Sequence, residues 1–429
     1  MLVRFTVCNY LSFKEKTSID FVATSLTEYR NDNIFQSPLS DISLLKSLII
    51  YGANSSGKSN LFKALSFMKR FMLSSSKETT SGDEINIERF KLSTTTAKKP
   101  SFFEIEIIVE ENKYRYGFEV DTHIVHSEYL YYKKKNKEFL LFERKFQTID
   151  LGKKIDTKSQ QLFEITRENA LFLSVLAQFN NDISIKIING IRKVIFIHGL
   201  DDFMSSEDTV KLLADKKYAP MVTNLLRSAK LGFNEVKIEK ISGEELFNKG
   251  NLPKELQKLF LRNSRESNVV STKHNVYDEN NLLVGEKFFD LNSEESLGTK
   301  KFFALAGPII TALTYGNVLI IDEFDSRLHP ELCKAIIKLF NSEEFNPHNA
   351  QLIIASHNST FINSTNKLFR RDQIIIANKT KFGMTSLESL YGKKVRKDAS
   401  FEKDYLSGKY EGTNINLIIS NQLNLDLFD

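Results

Sequence analysis

Tryptophan is absent from this 429-residue chain, and cysteine occurs only at Cys8 and Cys333. Two cysteines so far apart, without metal-ligand spacing, argue against a disulfide framework and for a reducing, cytoplasmic setting. The missing tryptophan carries no mechanism. No run approaches the ~18–20 apolar residues that a membrane span needs. The opening Met1-Leu2-Val3-Arg4-Phe5-Thr6 lacks the apolar core of a secretory leader. The expectation is therefore a cytoplasmic protein without a membrane partner. There is no internal repeat, and no helical pattern holds a heptad through three repeats, so a long coiled coil is not expected. Charge of either sign barely prevails: the net value is +5, a surplus that permits contact with nucleic acid without arguing for it. What is present is a globular composition, 41% hydrophobic and 26% charged. The length suits one elaborated domain or two intimate ones.

The most informative stretch is Leu48-Ile49-Ile50-Tyr51-Gly52-Ala53-Asn54-Ser55-Ser56-Gly57-Lys58-Ser59-Asn60-Leu61. An apolar run ends in glycine, a small polar loop follows, and Gly-Lys-Ser opens a segment with helical apolar spacing from Asn60 to Leu73. This is G-x-x-x-x-G-K-S in its strand–loop–helix context. Backbone N–H groups of such a loop and the helix N-terminus form an anion site. Lys58 is placed to reach β- and γ-phosphates, and Ser59 to hold Mg²⁺. Gly52, Asn54, Ser56, Gly57 and Asn60 complete the nucleotide-binding candidates.

Before the loop, Leu2 to Val7 and Ser18 to Ala23 read as strands, and Leu44 to Tyr51 as the strand feeding it. From Ser74 to Ala97 the Ser/Thr/Lys-rich composition with little periodicity predicts a mobile loop. Four strand patterns follow, Phe102 to Val109, Tyr114 to Val120, Ser127 to Tyr132 and Glu138 to Lys145: an antiparallel meander inserted after the P-loop helix. The basic run Lys133 to Lys137 marks one of its turns, either as a solvated tip or as a contact for a phosphate backbone. Ala170 to Asn180 is helix-like, and Val194 to Ile197 is a short buried strand ending at His198, a residue read as structural. Ser205 to Lys230 and Pro253 to Arg262 look helical, with a strand from Glu235 to Ile241 between them. Lys287 to Leu291 reads as another strand.

A second polar turn, Asn292 to Lys301, precedes the apolar helix Phe302 to Leu313. Ser296 and Gly298 lie in a Ser-x-Gly-Thr that opens this helix, as a cap or as a phosphate donor. Val318-Leu319-Ile320-Ile321-Asp322-Glu323 is a buried strand ending in two carboxylates. Asp322 suits the surroundings of Mg²⁺, and Glu323 suits a general base for water. Phe324-Asp325-Ser326-Arg327-Leu328-His329-Pro330 leads into a helix, with His329 as a helix cap. The strand Gln351 to His357 ends in a candidate γ-phosphate sensor, His357.

The order of these motifs resembles the ATP-binding cassette architecture over nearly the whole chain. Gly-x-Asn-x-x-Gly-Lys-Ser and Asn9-Tyr10-Leu11-Ser12-Phe13 resemble the RecF/SMC/OLD branch and not membrane transporters. Glu295-Ser296-Leu297-Gly298-Thr299, Asp322-Glu323-Phe324-Asp325 with Leu328-His329-Pro330, Ala355-Ser356-His357, and the tail Tyr405-Leu406-Ser407-Gly408-Lys409-Tyr410 resemble bacterial abortive-infection ATPases, RloA-like, AbiL-like and related to the AriA subunit of PARIS. The resemblance implies an α/β fold: an ABC-type P-loop core with an inserted meander, and a compact helical insertion in place of a coiled coil. It implies lobes at 1–199 and 286–429 flanking an insertion at 200–285. It implies ATP and Mg²⁺ as cofactors, Asp325 as a nucleotide-site residue, and a Q-loop glutamine on the metal, for which Gln178 is the candidate. It also implies a head-to-tail homodimer or higher homo-oligomer, in which Ser296 and Gly298 of one copy complete the P-loop site of the other. The signature departs from Leu-Ser-Gly-Gly-Gln at Glu295, Leu297 and Thr299. The residues after His357 lack an acidic metal cluster within a full α/β pattern, so no Toprim nuclease is expected there, and the resemblance implies an anti-phage switch controlling a separately encoded effector, such as a Toprim nuclease. A RecF/SMC-like DNA-repair or DNA-clamping ATPase is the alternative.

Overall fold

The computed structural model describes residues 1–39, 41–78, 80–134, 137–155, 158–199, 206–241 and 267–410. The chain forms two compact units: Met1–Leu200 with Ala312–Asp325 and Cys333–Asp429, and Asp201–Thr311 with Ser326–Leu332.

In the first unit, six strands form a sheet in the order Val194–His198, Val318–Asp322, Gln351–Ala355, Ser47–Tyr51, Ile374–Lys379 and Thr385–Ser389. The first five run parallel, and the last is antiparallel. The Ser-Leu-Ile-Ile-Tyr, Val-Leu-Ile-Ile-Asp and Gln-Leu-Ile-Ile-Ala strands are buried at every position. A parallel sheet covered on both faces requires such continuous runs, whereas a half-exposed strand alternates. Thr385–Ser389, at the edge, does alternate.

A second sheet of seven antiparallel strands has the order Thr148–Leu151, Lys137–Lys145, Val125–Lys134, Asn112–Val120, Ser101–Val109, Leu2–Cys8 and Thr17–Asp20. The four expected meander strands are all present, and Thr148–Leu151 extends them. The P-loop helix, Lys58–Ser74, buries Leu61, Ala64, Leu65, Met68, Phe71 and Met72 at helical spacing. Phe67 and Phe71 continue into Phe103 and Phe118 of the meander, with ring centroids 5.0–5.7 Å apart. Ile50, Ile320 and Ile353 of the parallel sheet belong to the same core. The helix that carries the nucleotide loop is thus fixed between two sheets.

Glu128 and Arg144 face each other across two meander strands with both side chains fully buried, 3.6 Å apart. The Glu128 carboxylate accepts hydrogen bonds from the Tyr116 hydroxyl and from the Phe172 and Leu173 N–H groups. Arg144 donates to the Phe146, Ala170 and Arg167 carbonyls. Burial pushes the Glu128 carboxyl above its ordinary range, against the opposing pull of Arg144 and these donors. The pair pins the start of the helix Phe172–Gln178 to the meander.

Two local expectations are corrected. Leu44 to Tyr51 is not one strand. Ser43–Leu45 pairs with Ile34–Gln36, and Ser47–Tyr51 enters the parallel sheet. The break falls at Lys46, which is buried and donates its ammonium to the Asn341 carbonyl. The segment from Ser74 to Ala97 is irregular but anchored. Ile85, Ile87 and Phe90 are buried, and Asn9 donates to the Thr96 and Lys99 carbonyls. Its polar composition hid three inward-facing side chains.

In the second unit, Ser205 to Lys230 resolves into the helices Glu207–Ala214 and Ala219–Ser228. The unit also holds a three-stranded antiparallel sheet, Glu235–Ile241, Ser267–Tyr277 and Leu283–Asp290. The expected helix Pro253 to Arg262 lies outside the described residues.

Removing one member of a buried ion pair leaves the other charge uncompensated, at a cost of about 3–5 kcal/mol. Glu128→Ala is expected to lower the free energy of urea unfolding by that amount. A loss below about 1 kcal/mol would show that the pair does not hold the meander to the helix.

Candidate nucleotide site

The apolar strand Ser47–Tyr51 delivers its chain end to the carboxyl edge of the parallel sheet, where open α/β sheets gather ligands. A Cβ at Gly52 would stand 2.3 Å from the Ala377 carbonyl oxygen and 2.5 Å from Ser56 Oγ. Gly57 has φ +104°, and a Cβ there would meet Thr385 Oγ1 at 2.1 Å and Ser12 Oγ at 2.9 Å. Both motif glycines are therefore required by space, and Gly57 by conformation as well. The helix begins at Lys58, and N–H groups of its first turn have no intrahelical acceptor. Ser56 Oγ is buried without a hydrogen-bond partner. Asn54 is exposed, and Ser59 is half-buried at the helix start.

Lys58 is buried and donates to the Gly52 carbonyl (2.8 Å) and the Ala53 carbonyl (3.2 Å). Burial lowers its pKa, while Glu323, then Asp322 and Asp325, act in the opposite direction by charge. These three carboxylates come from the neighbouring region of the parallel sheet. Asp322 is buried at the end of Val318–Asp322, and its Oδ1 accepts from the Glu323 N–H. Glu323 has φ 49°, a left-handed conformation that costs a non-glycine residue about 1–3 kcal/mol and gathers at functional sites. His357 lies with Nε2 3.5 Å from Glu323 Oε1, and its N–H donates to Asp325 Oδ1. The Asp-Glu, Asp325 and Ser-His motifs thus converge as a single cluster whose charge acts on the lysine.

Several placements differ from the sequence reading. Asn60 donates to Ser12 Oγ at 2.8 Å, and Ser12 Oγ also receives the Thr385 hydroxyl at the same distance. Asn60 therefore serves the back of the loop. Gln178 is exposed at the end of Phe172–Gln178 and shares a small cavity with Met72 and Leu73. Those residues lie at the far end of the P-loop helix from Ser59, some 20 Å away at 1.5 Å per residue. The structure does not bring Gln178 to the loop. His198, read as structural, has Nε2 3.9 Å from Asp322 Oδ2. Thr385 gave no sequence signal, because its partners are folding neighbours and not sequence neighbours. His329 does cap its helix, accepting from the Glu331 N–H.

In the second unit, Ser296 Oγ accepts from the Thr299 N–H at 3.1 Å, capping the helix Leu297–Tyr315. A Cβ at Gly298 would stand 2.7 Å from the Arg327 carbonyl oxygen. Lys301 donates to both the backbone and side-chain oxygens of Ser326. Glu295 is half-buried, accepts from Thr272 and contacts His274 at 2.7 Å, which ties the turn to the three-stranded sheet.

Among the described residues there is no cluster of three or more His, Cys, Asp or Glu able to hold a metal. Mg²⁺ binds through one or two protein oxygens plus phosphates and water, and Ser59 and Asp322 fit that donor set. Among the described residues no helix is long and apolar enough to cross a membrane.

Residues 47–363 match the family described as AAA domain, putative AbiEii toxin, Type IV TA system. The chain belongs to that family. Its membership makes it a protein with an AAA-type ATPase domain of the AbiEii-like kind. No curated protein sequence matches the chain. It is similar to the solved SMC head domain from Thermotoga maritima at 12% identity and TM-score 0.39, covering 90% of this chain and 98% of that one. It is also similar to the Smc head domain with an extended coiled coil, bound to the C-terminal domain of ScpA, from Pyrococcus furiosus: 12% identity, TM-score 0.40, 95% and 98% covered. A Pyrococcus yayanosii Smc head with a coiled coil and joint gives 10%, 0.37, 96% and 99%. The family assignment rests on the sequence match.

Gly57→Ala combines a positive φ with an overlap on Thr385. It is expected to cost at least about 2 kcal/mol of folding stability, and Thr385→Ala in the same chain is expected to recover part of that. Unchanged thermal unfolding of Gly57→Ala would contradict the packing of the loop.

Proposed function

We propose that the chain binds ATP and hydrolyses it to ADP and phosphate, and that it does so as a head-to-tail pair. The observation that carries this reading is the placement of Lys58, on the P-loop, opposite Glu323, Asp322 and Asp325, with His357 beside Glu323. Lys58 turns from the Gly52 and Ala53 carbonyls to the β- and γ-phosphates, and the first-turn N–H groups hold the same oxygens. Bound Mg²⁺, held by Ser59 with Asp322 beside it, would supply charge neutralisation at the phosphates. Glu323 takes a proton from the attacking water, whose oxygen bonds to the γ-phosphorus while the bond to the ADP oxygen breaks. His357 senses the γ-phosphate. Ser296 and Gly298 of a second copy supply the remaining donors, as the resemblance implies.

The family description names a putative toxin of a type IV toxin–antitoxin system. It supports a role in abortive infection, in which the nucleotide state governs a separately encoded effector, a nuclease by the resemblance. Coupling requires that the two nucleotide states differ in affinity for that effector.

Two variants test the chemistry together. Lys58→Ala is expected to lose ATP binding in calorimetry. Glu323→Gln is expected to bind ATP normally and to lose turnover by 10²-fold or more, on the order of what removal of a general base costs. Unchanged ATP affinity in the first would overturn the P-loop role of Lys58, and wild-type turnover in the second would assign the base to another residue.

A further inference from the structure

Glu295 stands directly before Ser296, and the reaction proposed above gives it no part. Its side chain turns inward, with 8% of its surface exposed, while Ser296 and Leu297 face solvent. A carboxylate so far out of water must be matched by donors. Two converge on its Oε1. The Thr272 hydroxyl donates at 2.5 Å, and His274 Nε2 lies at 2.7 Å. Against a carboxylate oxygen, Nε2 is the ring nitrogen that carries the hydrogen.

Both donors come from the middle strand of the three-stranded sheet, Ser267–Tyr277, at positions two apart and therefore on one face. Thr272 is fully buried. The His274 ring stacks on Phe289 of the neighbouring strand, with centroids 4.5 Å apart, and meets Phe233 edge-on at 6.4 Å. These aromatic contacts orient the imidazole independently of Glu295. A leucine, as in Leu-Ser-Gly-Gly-Gln, would offer the hydroxyl and the ring N–H no acceptor. Glu295 accepts from both, so this departure from the signature and its two partners belong together.

The other contacts of the turn do a different job. Asp290 accepts from the Asn292 and Ser293 N–H groups and from the Ser293 hydroxyl, and Lys300 donates to the Asn292 carbonyl. These give the turn its shape. Beyond Gly298, Lys301 donates to Ser326 and holds one side of it. Glu295 fixes the opposite side to the sheet, one residue from Ser296. A turn of the right shape and the wrong aim misses a phosphate held by another molecule, and a misplacement of about 1 Å is enough to lose such a contact.

We propose that His274 is a positioning residue for the pairing of two copies. With Thr272 it fixes Glu295, and through Glu295 it aims Ser296 and Gly298 at the γ-phosphate bound by the other copy. This inference rests on the head-to-tail reading given above. It adds a determinant that touches neither nucleotide nor the second copy.

The test is made in the full chain carrying Glu323→Gln, with saturating ATP and Mg²⁺ and with occupancy checked by calorimetry. The dimer dissociation constant is read from light scattering over a range of protein concentrations. Adding His274→Phe keeps a ring on Phe289 and removes the donor. It is expected to leave ATP occupancy unchanged and to raise the dimer dissociation constant roughly 10-fold or more, because a dimer contains two such turns. His274→Gln restores an N–H donor and is expected to return the constant to within about threefold of the parent. Thermal unfolding shows whether each variant keeps its fold, and Thr272→Val, which removes the second donor, takes the place of His274→Phe if that variant does not. Unchanged dimerisation in the folded variant would overturn the positioning role alone. A folded His274→Gln as weak as His274→Phe would overturn the hydrogen bond as its means. A parent chain that fills with ATP and stays monomeric would overturn the head-to-tail reading and this inference together.

Discussion

A buried ammonium at the carboxyl end of a parallel sheet is the constraint on which this molecule turns. Desolvation works against the charge on Lys58, and two carbonyls and three carboxylates work for it. The carbonyls come from its own loop. The carboxylates arrive from the next strand but one, far along the sequence, so the charge is compensated only when the sheet is assembled. The same arrangement sets an ammonium at the start of a helix within the electrostatic reach of Glu323, whose backbone is left-handed. That combination suits a triphosphate and the water that attacks it.

The remainder of the first unit keeps the loop in place. The P-loop helix is fixed by aromatic packing on the meander and by aliphatic packing on the parallel sheet, and the Glu128–Arg144 pair secures the meander to the following helix. Behind the loop, the Thr385 side chain and the Ser12 hydroxyl, which accepts from the Asn60 amide, fill the space that only a glycine at position 57 leaves open. In the second unit, the Ser296 turn is capped by its own hydroxyl and bound through Glu295 to the three-stranded sheet.

Much of this was legible in the residues. Ser47–Tyr51, Val318–Asp322 and Gln351–Ala355 announced themselves as continuous apolar runs, and the meander as alternation, because burial on two faces or one leaves those patterns. The loop, Asp322, Glu323, Asp325 and His357 stood out because each follows an apolar run, and such runs end at the carboxyl edge of the sheet, where ligands gather. What escaped notice depends on partners remote in sequence. Thr385 looks like any edge-strand threonine until Gly57 packs on it. Lys46 breaks a strand because Asn341 offers it a carbonyl. Ser267–Tyr277 is too polar to read as a strand, and its partners lie on both sides of it in the sheet. Gln178 had the right neighbours in sequence and the wrong end of the helix in space.

The central claim is that the nucleotide joins two copies of this chain through the P-loop of one and the Ser296 turn of the other. Light-scattering molar mass of Glu323→Gln, with and without saturating ATP and Mg²⁺, tests it most directly. The account predicts a doubling of mass that requires ATP and disappears when Ser296→Arg is added to the same chain. A mass unchanged by ATP, in protein that calorimetry shows to be fully occupied, would contradict it.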